Sequence, residues 1–482
     1  MIRRLLFSHG MAILLGLAST SFAADPLFDI QSIRDAKSLE VVVLEDWKPS
    51  PKDSSVRQKL IEITVCEWWP GQKVRLPVTL NAPADGKACR NIVVANQPLA
   101  KRAATPTGGQ LSLLKNYGVG IVLIGMGTID AMEPPGELHH GMREQLLKTR
   151  NPRYSPAWIW GMSQMRALTA AMTEPEVFQP EKVLTTGGSK RGVAAAVAGI
   201  HDDRFTAILP VVAPPLGNPG AAAYVMGTEP KRLGEIDEEF YRTSDSGIAK
   251  AMRERAQRRA DNRVTLTQAE EAGWTKEEIE GMTDRVWNAC RITDFLPAVQ
   301  ERGLAFFYNV GTNDSVTPAL VSLGEHHPDF PICIIPGGQH GGPATAGFTR
   351  RVPTLPEVQD NFLSFARGHF FGDREFPGSP QIESKWDAGT KALSVTVTFP
   401  EGVSPEANAL WWSKGRSKPY TLPFEYDEWE SVEMDSDPKG RLTASIRLET
   451  IPEMLDFLTL HTDTENGLPL TVSSAYQRIT TK

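Results

Sequence analysis

TTGGSKRG, residues 185–192, stands between the apolar run Lys182-Val183-Leu184 and the small-residue run Val193-Ala194-Ala195-Ala196-Val197-Ala198. A strand therefore gives way to a helix at Ser189. A glycine two places before a serine says little alone, since GRSK at 415–418 holds the same pair in a β-rich tail with no helix after it. At Ser189 strand, tight turn and small-residue helix occur in order. That is the nucleophile-elbow arrangement, which lifts a serine oxygen above a sheet and aims a helix N-terminus at the reacting centre. Gly192 comes one place later than in G-x-S-x-G, and Arg191 occupies the usual small position. The turn is therefore expected to differ somewhat, or Arg191 to point outward.

A serine elbow predicts its partners. In the α/β-hydrolase order an acid follows a later strand and a histidine follows the last, because the loops at the strand carboxyl ends converge above the sheet. The run Leu304 to Val310 leads into GTNDSVTP, giving Asp314, and Pro331 to Ile335 leads into PGGQHGG, giving His340. An aspartate in a turn also bonds its own backbone, and a histidine among glycines also reads as a loop residue; the order of all three favours chemistry. His340 is expected to take the Ser189 proton and return it to the leaving group, with Asp314 orienting the imidazole. The oxyanion donors are expected to be the Lys190 backbone N–H and, in the loop NQPLA where Pro98 cannot donate, Gln97.

Lys190 and Arg191 form a pair of cations at a helix N-terminus. A cation reaching the pocket favours an anionic substrate or the developing oxyanion; the plain alternative is an ion pair with Asp202 or Asp203. His139 and His140 lack a recurring metal-ligand spacing and read as substrate-binding loop residues rather than as a metal site. No metal or cofactor is expected.

Outward from the elbow, further strand candidates are Leu60 to Val65, Val74 to Leu80, Asn91 to Ala95, Gly118 to Ile124 and Ala207 to Val212. Several are apolar on both faces, as in a parallel sheet covered by helices. Trp158, Met162, Met165, Leu168 and Met172 recur at helical spacing and read as core. Residues 215–300 exceed what a connection needs and read as a helical cap insertion. After GDREFPGSP (372–380) the pattern changes to strand alternation, Leu393, Val395, Val397, Phe399 and then Leu442, Ala444, Ile446, Leu448, which suggests a β-sandwich-like domain. The expected class is α/β: an α/β-hydrolase fold, a mostly parallel sheet flanked by helices, over 24–372, with the sandwich over 380–482. Trp411 and Trp412 are read as exposed and able to stack on sugar, although neighbours on a strand face opposite ways, so that at least one belongs to a core.

The chain of 482 residues is 41% hydrophobic and carries a formal charge of −7 without long single-sign runs, which argues against nucleic-acid binding. Arg3 and Arg4 precede an apolar stretch and Ser21-Phe22-Ala23, the pattern of a signal peptide over 1–23. A periplasmic or secreted protein follows, with no membrane span after cleavage. An oxidising compartment permits disulfides among Cys66, Cys89, Cys290 and Cys333. Cys66 with Cys89 is the favoured pair, while Cys333, inside the run Phe330 to Ile335, reads almost as well as a buried thiol.

TTGGSKRG, GTNDSVTP, the tryptophan-bearing helix before the elbow and the β-rich tail together resemble the PhoPQ-activated pathogenicity-related protein family over most of residues 40–480. Gly187, Ser189, Lys190, Arg191 and Gly192 map onto the family's G-x-S-K-R-G elbow. The resemblance implies a secreted α/β-hydrolase domain and no settled reaction. VVAPPLGNP, after the strand that follows the elbow, lacks an expected acidic residue, and GGQHGG surrounds its histidine with more glycine than the family does. A cation directly after the serine is also similar to glucuronoyl esterases. The expected function is a serine hydrolase, an esterase rather than a peptidase, acting on a small-molecule or carbohydrate ester, with an anionic substrate favoured by the paired cations. The alternative is a catalytically idle hydrolase fold serving as a binding or host-interaction module.

Overall fold

The structure is a computed structural model. It describes residues 27–97, 103–129, 137–216, 226–227, 264–312, 314, 320–338, 356–400, 403–414, 429–438 and 440–481. The signal-peptide expectation and His340 lie outside these residues.

The main sheet begins with β1 (Val42–Pro49), β2 (Val56–Trp69), β3 (Gln72–Pro83), β4 (Cys89–Gln97), β5 (Gly120–Gly125), β6 (Phe178–Gly188) and β7 (Ala207–Val211). A two-residue pair, β8 (Met226–Gly227) with β9 (Val264–Thr265), stands apart, and β10 (Ala305–Phe306), β11 (Tyr308–Gly311) and β12 (Ile332–Ile335) complete the sheet. The order is β1-β2-β3-β5-β4-β6-β7-β11-β12, with β10 on β7. β1, β2 and β3 pair antiparallel, as does β3 with β5, and every pair from β5 to β12 is parallel. All six residues of β5 and all four of β12 are buried, as strands covered on both faces require. This is the mostly parallel, helix-flanked sheet of an α/β-hydrolase.

β1 was not legible in the sequence. Its Val42, Val43 and Leu44 are 46%, 49% and 48% exposed, so no buried face imposes alternation, and two register shifts against β2 mark it as an irregular edge.

The helices α1 (Ile30–Arg34), α2 (Gly108–Tyr117), α3 (Glu137–Thr149), α4 (Pro156–Met172) and α5 (Lys190–His201) cover the sheet. The Trp158, Met162, Met165 and Leu168 stripe of α4 is buried as expected, while Met172 is 45% exposed at the helix end. Gly161 of α4 lies against Val197 of α5, and Gly199 of α5 lies against Ile208 of β7, too close in both cases for a Cβ. Small residues thus seat α5 tightly between α4 and the sheet.

Three helices follow β9 within the insertion: Leu266–Glu271, Lys276–Trp287 and Leu296–Glu301. The described part docks on α3 and α5: Trp274 Nε1 donates to the Leu147 carbonyl at 3.2 Å, and the His201 ring bonds the Ala289 carbonyl at 2.9 Å.

After the helix Pro356–Phe371 the chain forms β13 (Gln381–Asp387), β14 (Ala392–Thr398), β15 (Ala407–Lys414), β16 (Glu430–Glu433), β17 (Asp435–Ser436), β18 (Leu442–Arg447), β19 (Met454–Glu465), β20 (Leu468–Ser473) and β21 (Gln477–Thr480). They make two antiparallel sheets, β13-β14-β18-β17 and β16-β15-β19-β20 with β21 on β19. Trp411 and Trp412 are only 8% and 9% exposed, so both, and not just one of them, belong to a core, and neither is open to stack on sugar. As strand neighbours they face opposite ways. Trp411 joins the large core of the hydrolase sheet, and Trp412 joins Leu393, Val395 and Phe457 between the two β-rich sheets. Across the junction, Asn361 donates to the Thr471 carbonyl and accepts from the Thr471 N–H, and Ser473 Oγ bonds Ile334 N–H and the Ile332 carbonyl on edge strand β12.

The four cysteines are free. β2 and β4 are separated by β3 and β5, so Cys66 and Cys89 lie three strand spacings apart, roughly 14 Å, well beyond the roughly 7 Å of Cα separation that a disulfide spans. Burial pushes all four thiols up to about 12, which makes them poor nucleophiles.

Candidate active site

β4 and β6 are neighbours, but the chain leaves β4 through α2 for β5 on one side and leaves β6 through α5 for β7 on the other. The sheet therefore has a topological switch point between them, where a crevice opens beyond the strand carboxyl ends. Gln97 ends β4 and Ser189 follows the end of β6. Pairing is in register at Val94 with Thr185, so three further residues on each strand bring Gln97 level with Gly188. The Gln97 side chain and the loop after it lie outside the described residues.

Ser189 has φ +58° and ψ −128°. No glycine relieves this conformation, which costs a non-glycine residue on the order of 1–3 kcal/mol. Its side chain makes no capping hydrogen bond to α5, although serine is a preferred N-cap. The backbone holds the turn instead: Ser189 N–H donates to the Val211 carbonyl at 2.9 Å, and Val193 N–H to the Ser189 carbonyl at 3.0 Å. Val212, at the end of β7, is a second strained position with φ +47°, its N–H on the Asn309 carbonyl at 2.8 Å.

The displaced glycine has a steric reason. A Cβ on Gly192 would lie 2.9 Å from the Gly187 carbonyl oxygen, the Val211 carbonyl oxygen and the Ala213 Cβ, and one on Gly187 would lie 2.5 Å from the Arg191 carbonyl oxygen. Both glycines are needed because the two ends of the turn touch. Lys190 opens α5, which directs its backbone N–H toward the crevice side of the turn.

Arg191 is half-buried, and its Nε is buried without a hydrogen-bond partner. Asp202 and Asp203 do not pair with it. Asp202 is held by Arg204 Nη2 at 2.5 Å and Arg34 Nη2 at 2.7 Å, and Asp203 is also bonded by Arg34. Burial opposes ionisation of Asp202, yet these guanidinium bonds hold its carboxyl below the ordinary carboxylate value.

Asp314 is 4% exposed in the turn after β11, with its N–H on the Gly311 carbonyl at 3.2 Å. This turn is laced to the loop after β12. Thr312 N–H donates to the Ile335 carbonyl at 3.1 Å, Gly337 N–H donates to Thr312 Oγ1 at 2.7 Å, and a Cβ on Gly311 would run into the Gly338 carbonyl oxygen. The chain toward His340 thus leaves Gly338 beside the Asp314 turn. His140 is exposed on α3, and nothing is described of the His139 side chain.

A polar network beneath the crevice was missed by the sequence reading. Gln164, fully buried on α4, donates from Nε2 to Asn96 Oδ1 of β4 at 2.6 Å and accepts from Thr185 Oγ1 of β6 through Oε1. One side chain so ties together the two strands that flank the switch point. Its signal was a glutamine inside an otherwise apolar helical run, since a buried amide is costly unless it is bonded.

The family model of the PhoPQ-activated pathogenicity-related protein matches residues 147–263. That span contains α4, the elbow and α5, so the resemblance read from TTGGSKRG holds there. No curated protein matches in sequence. Among solved structures, an acetyl xylan esterase from a Paenibacillus species shares 14% identity over 65% of this chain and 87% of that one, with a TM-score of 0.40. A glucuronoyl esterase from Teredinibacter turnerae shares 16% over 69% and 79%, with a TM-score of 0.38. A puromycin-hydrolysing peptidase from Mycobacterium tuberculosis shares 13% over 65% and 40%, with a TM-score of 0.35.

Proposed function

We propose that the protein is a periplasmic or secreted serine hydrolase, an esterase, with Ser189 as nucleophile, His340 as general base and Asp314 as the residue that orients it. The observation that carries this reading is the strained serine at the end of β6, with φ +58° and no capping bond to α5. Backbone strain persists where the surroundings enforce it, and it clusters at reacting centres. A serine serving only as a turn residue or cap has no use for it.

The partners are supported by the lacing of the two loops. His340 follows Gly338 by two residues, a reach of at most roughly 7 Å, and Gly338 abuts the Asp314 turn. In the proposed reaction His340 removes the Ser189 hydroxyl proton as Oγ attacks the ester carbonyl. The tetrahedral oxyanion is held by the Lys190 N–H and a donor at Gln97, and the proton passes to the leaving alcohol. Water then repeats the sequence on the acyl-enzyme. Each oxyanion donor is worth about 10²- to 10³-fold in turnover.

Arg191 supports an anionic substrate, because it stands in the first turn of α5 at the elbow, while Asp202 and Asp203, at the far end of that helix, are bonded to Arg34 and Arg204. His139 and His140 on α3 are proposed to contact the same substrate. The alternative of an idle module gains no support from Trp411 and Trp412, which are both buried. The test is to react the purified protein with a fluorophosphonate and locate the label. Label on Ser189, absent from a folded Ser189→Ala variant, supports the hydrolase; a folded protein that takes no label between about pH 7 and 9 supports the module.

A further inference from the structure

A cavity of about 610 Å³ opens between α1, the carboxyl end of β2, the first half of α4 and the helix Lys276–Trp287. β2 lies four strand spacings from β6 in the sheet order, roughly 19 Å, so the cavity is separate from the crevice at Ser189. Its volume falls within the range of small-molecule sites.

Three arginines line it, Arg153, Arg166 and Arg285. Arg166 is 2% exposed. Its Nη1 bonds the Ser32, Ile33 and Asp35 carbonyls at 3.3, 2.9 and 3.0 Å, and its Nη2 the Thr64 carbonyl at 3.0 Å. Its Nε is buried without a partner, as is that of Arg153. Arg153 donates to the Glu67 backbone carbonyl at 3.1 Å and lies over the rings of Tyr154 and Trp158. Arg285 is exposed on its helix. Among the described residues none of the three has a carboxylate within ion-pair distance.

The carboxylates of the cavity are engaged elsewhere. Glu40 pairs with Lys73 and Arg75, Asp29 accepts the Ser32 N–H that begins α1 at 3.2 Å, and Glu67 accepts the Gly71 N–H at 2.8 Å. Among the described residues, the walls therefore present three guanidinium groups without a carboxylate at ion-pair distance, one of them deeply buried and answered only at longer range by Asp35. A buried charge without a close opposite charge is costly, and guanidinium forks match planar or tetrahedral oxyanions, carboxylate or phosphate.

We propose that this cavity is a second ligand site, distinct from the Ser189 centre, which binds a small organic oxyanion through Arg153, Arg166 and Arg285. Arg285 comes from the insertion and the other two from the hydrolase body, so the ligand bridges these parts. Calorimetric titration of the full chain with gluconate, glucose 6-phosphate and glucose tests this. One or both anions should bind with unit stoichiometry and glucose should not; the better anion identifies carboxylate or phosphate as the recognised group. Arg285→Met and Arg153→Met, which leave the α1 contacts of Arg166 in place, should each weaken binding by roughly tenfold or more, and Arg191→Met at the elbow should leave it unchanged. The proposal is overturned by no heat from either anion at millimolar concentration, by equal binding of glucose, or by affinity that follows Arg191→Met rather than the two cavity variants. Failure of Ser189 to react with fluorophosphonate would leave it standing.

Discussion

Six of the described non-glycine residues have positive φ, and the β19–β20 hairpin and the elbow hold theirs for different reasons. In the hairpin between β19 and β20, Asn466 and Gly467 have φ +51° and +72°. Asn-Gly is the pair that such a turn favours, so the conformation is nearly free of strain. At the elbow, Ser189 adopts φ +58° although serine has no such tolerance, and Val212 beside it adopts φ +47° although it is β-branched. In the β19–β20 hairpin the sequence supplies the residue suited to the turn, whereas the turn between β13 and β14 uses Lys391 at φ +54°. At the elbow the residue is unsuited and, with ψ −128°, lies outside the left-handed helical region that ordinary turns use.

The strongest way to break this comparison is Ser189→Ala. Turnover of a model ester should fall about 10⁶-fold, as for other serine triads, while the urea midpoint stays within experimental error of the parent; retained turnover would refute the assignment. Asp314→Asn should lower kcat about 10⁴-fold with little change in KM, and circular dichroism should show an intact fold, which separates orientation of His340 from support of the loop.

In the β-rich sheets the expected effects fall on stability. Trp412→Ala, which empties the space between Leu393, Val395 and Phe457, should cost about 3–5 kcal/mol in denaturant unfolding with hydrolysis per folded molecule preserved. Loss of activity without loss of stability there would make that region part of the site.

Acid lability should also originate in these sheets. His461 bonds Asn408 Oδ1 at 2.7 Å and Thr459 Oγ1 at 2.8 Å, and burial lowers its pKa to about 3. The unfolded imidazole titrates near about 6.5. Between these values the unfolded chain binds the extra proton, so stability is full above about pH 6.5 and declines as pH falls toward about 3. Guanidinium unfolding of His461→Gln over this interval should show a flatter decline; an unchanged slope would assign the lability elsewhere. The smallest effect sharpens the comparison most. Ser189→Gly should raise stability by about 1 kcal/mol while abolishing turnover, whereas Asn466→Ala should lower stability by a similar amount and leave turnover intact.

Much of the parallel sheet was legible because strands covered on both faces must be apolar throughout, and the glycine and alanine pattern around Ser189 follows from close backbone contact. The Asp314 turn and its pairing with the loop before His340 were legible only as order along the chain. β1 was hidden because an exposed edge strand has no buried face to write a pattern. The Cys66–Cys89 pairing failed because sequence separation contains no information about the two strands inserted between β2 and β4. That both Trp411 and Trp412, and not only one, are buried was not legible because a strand covered on both faces by two different partners looks, in one dimension, like an apolar strand at the surface of a sandwich.

Local physics reached as far as one element and its immediate turn. The strand-to-helix change at Ser189, the need for glycine at 187 and 192, and the apolar faces of β5, β12 and α4 are consequences of side-chain volume and backbone geometry over a few residues. Tertiary structure alone decided that Gln164 would clasp β4 to β6, that Thr312 and Gly337 would lace the two loops, and that three arginines from separate segments would meet in one cavity. These contacts join residues far apart in the chain, and their energies exist only once the strand order has been chosen.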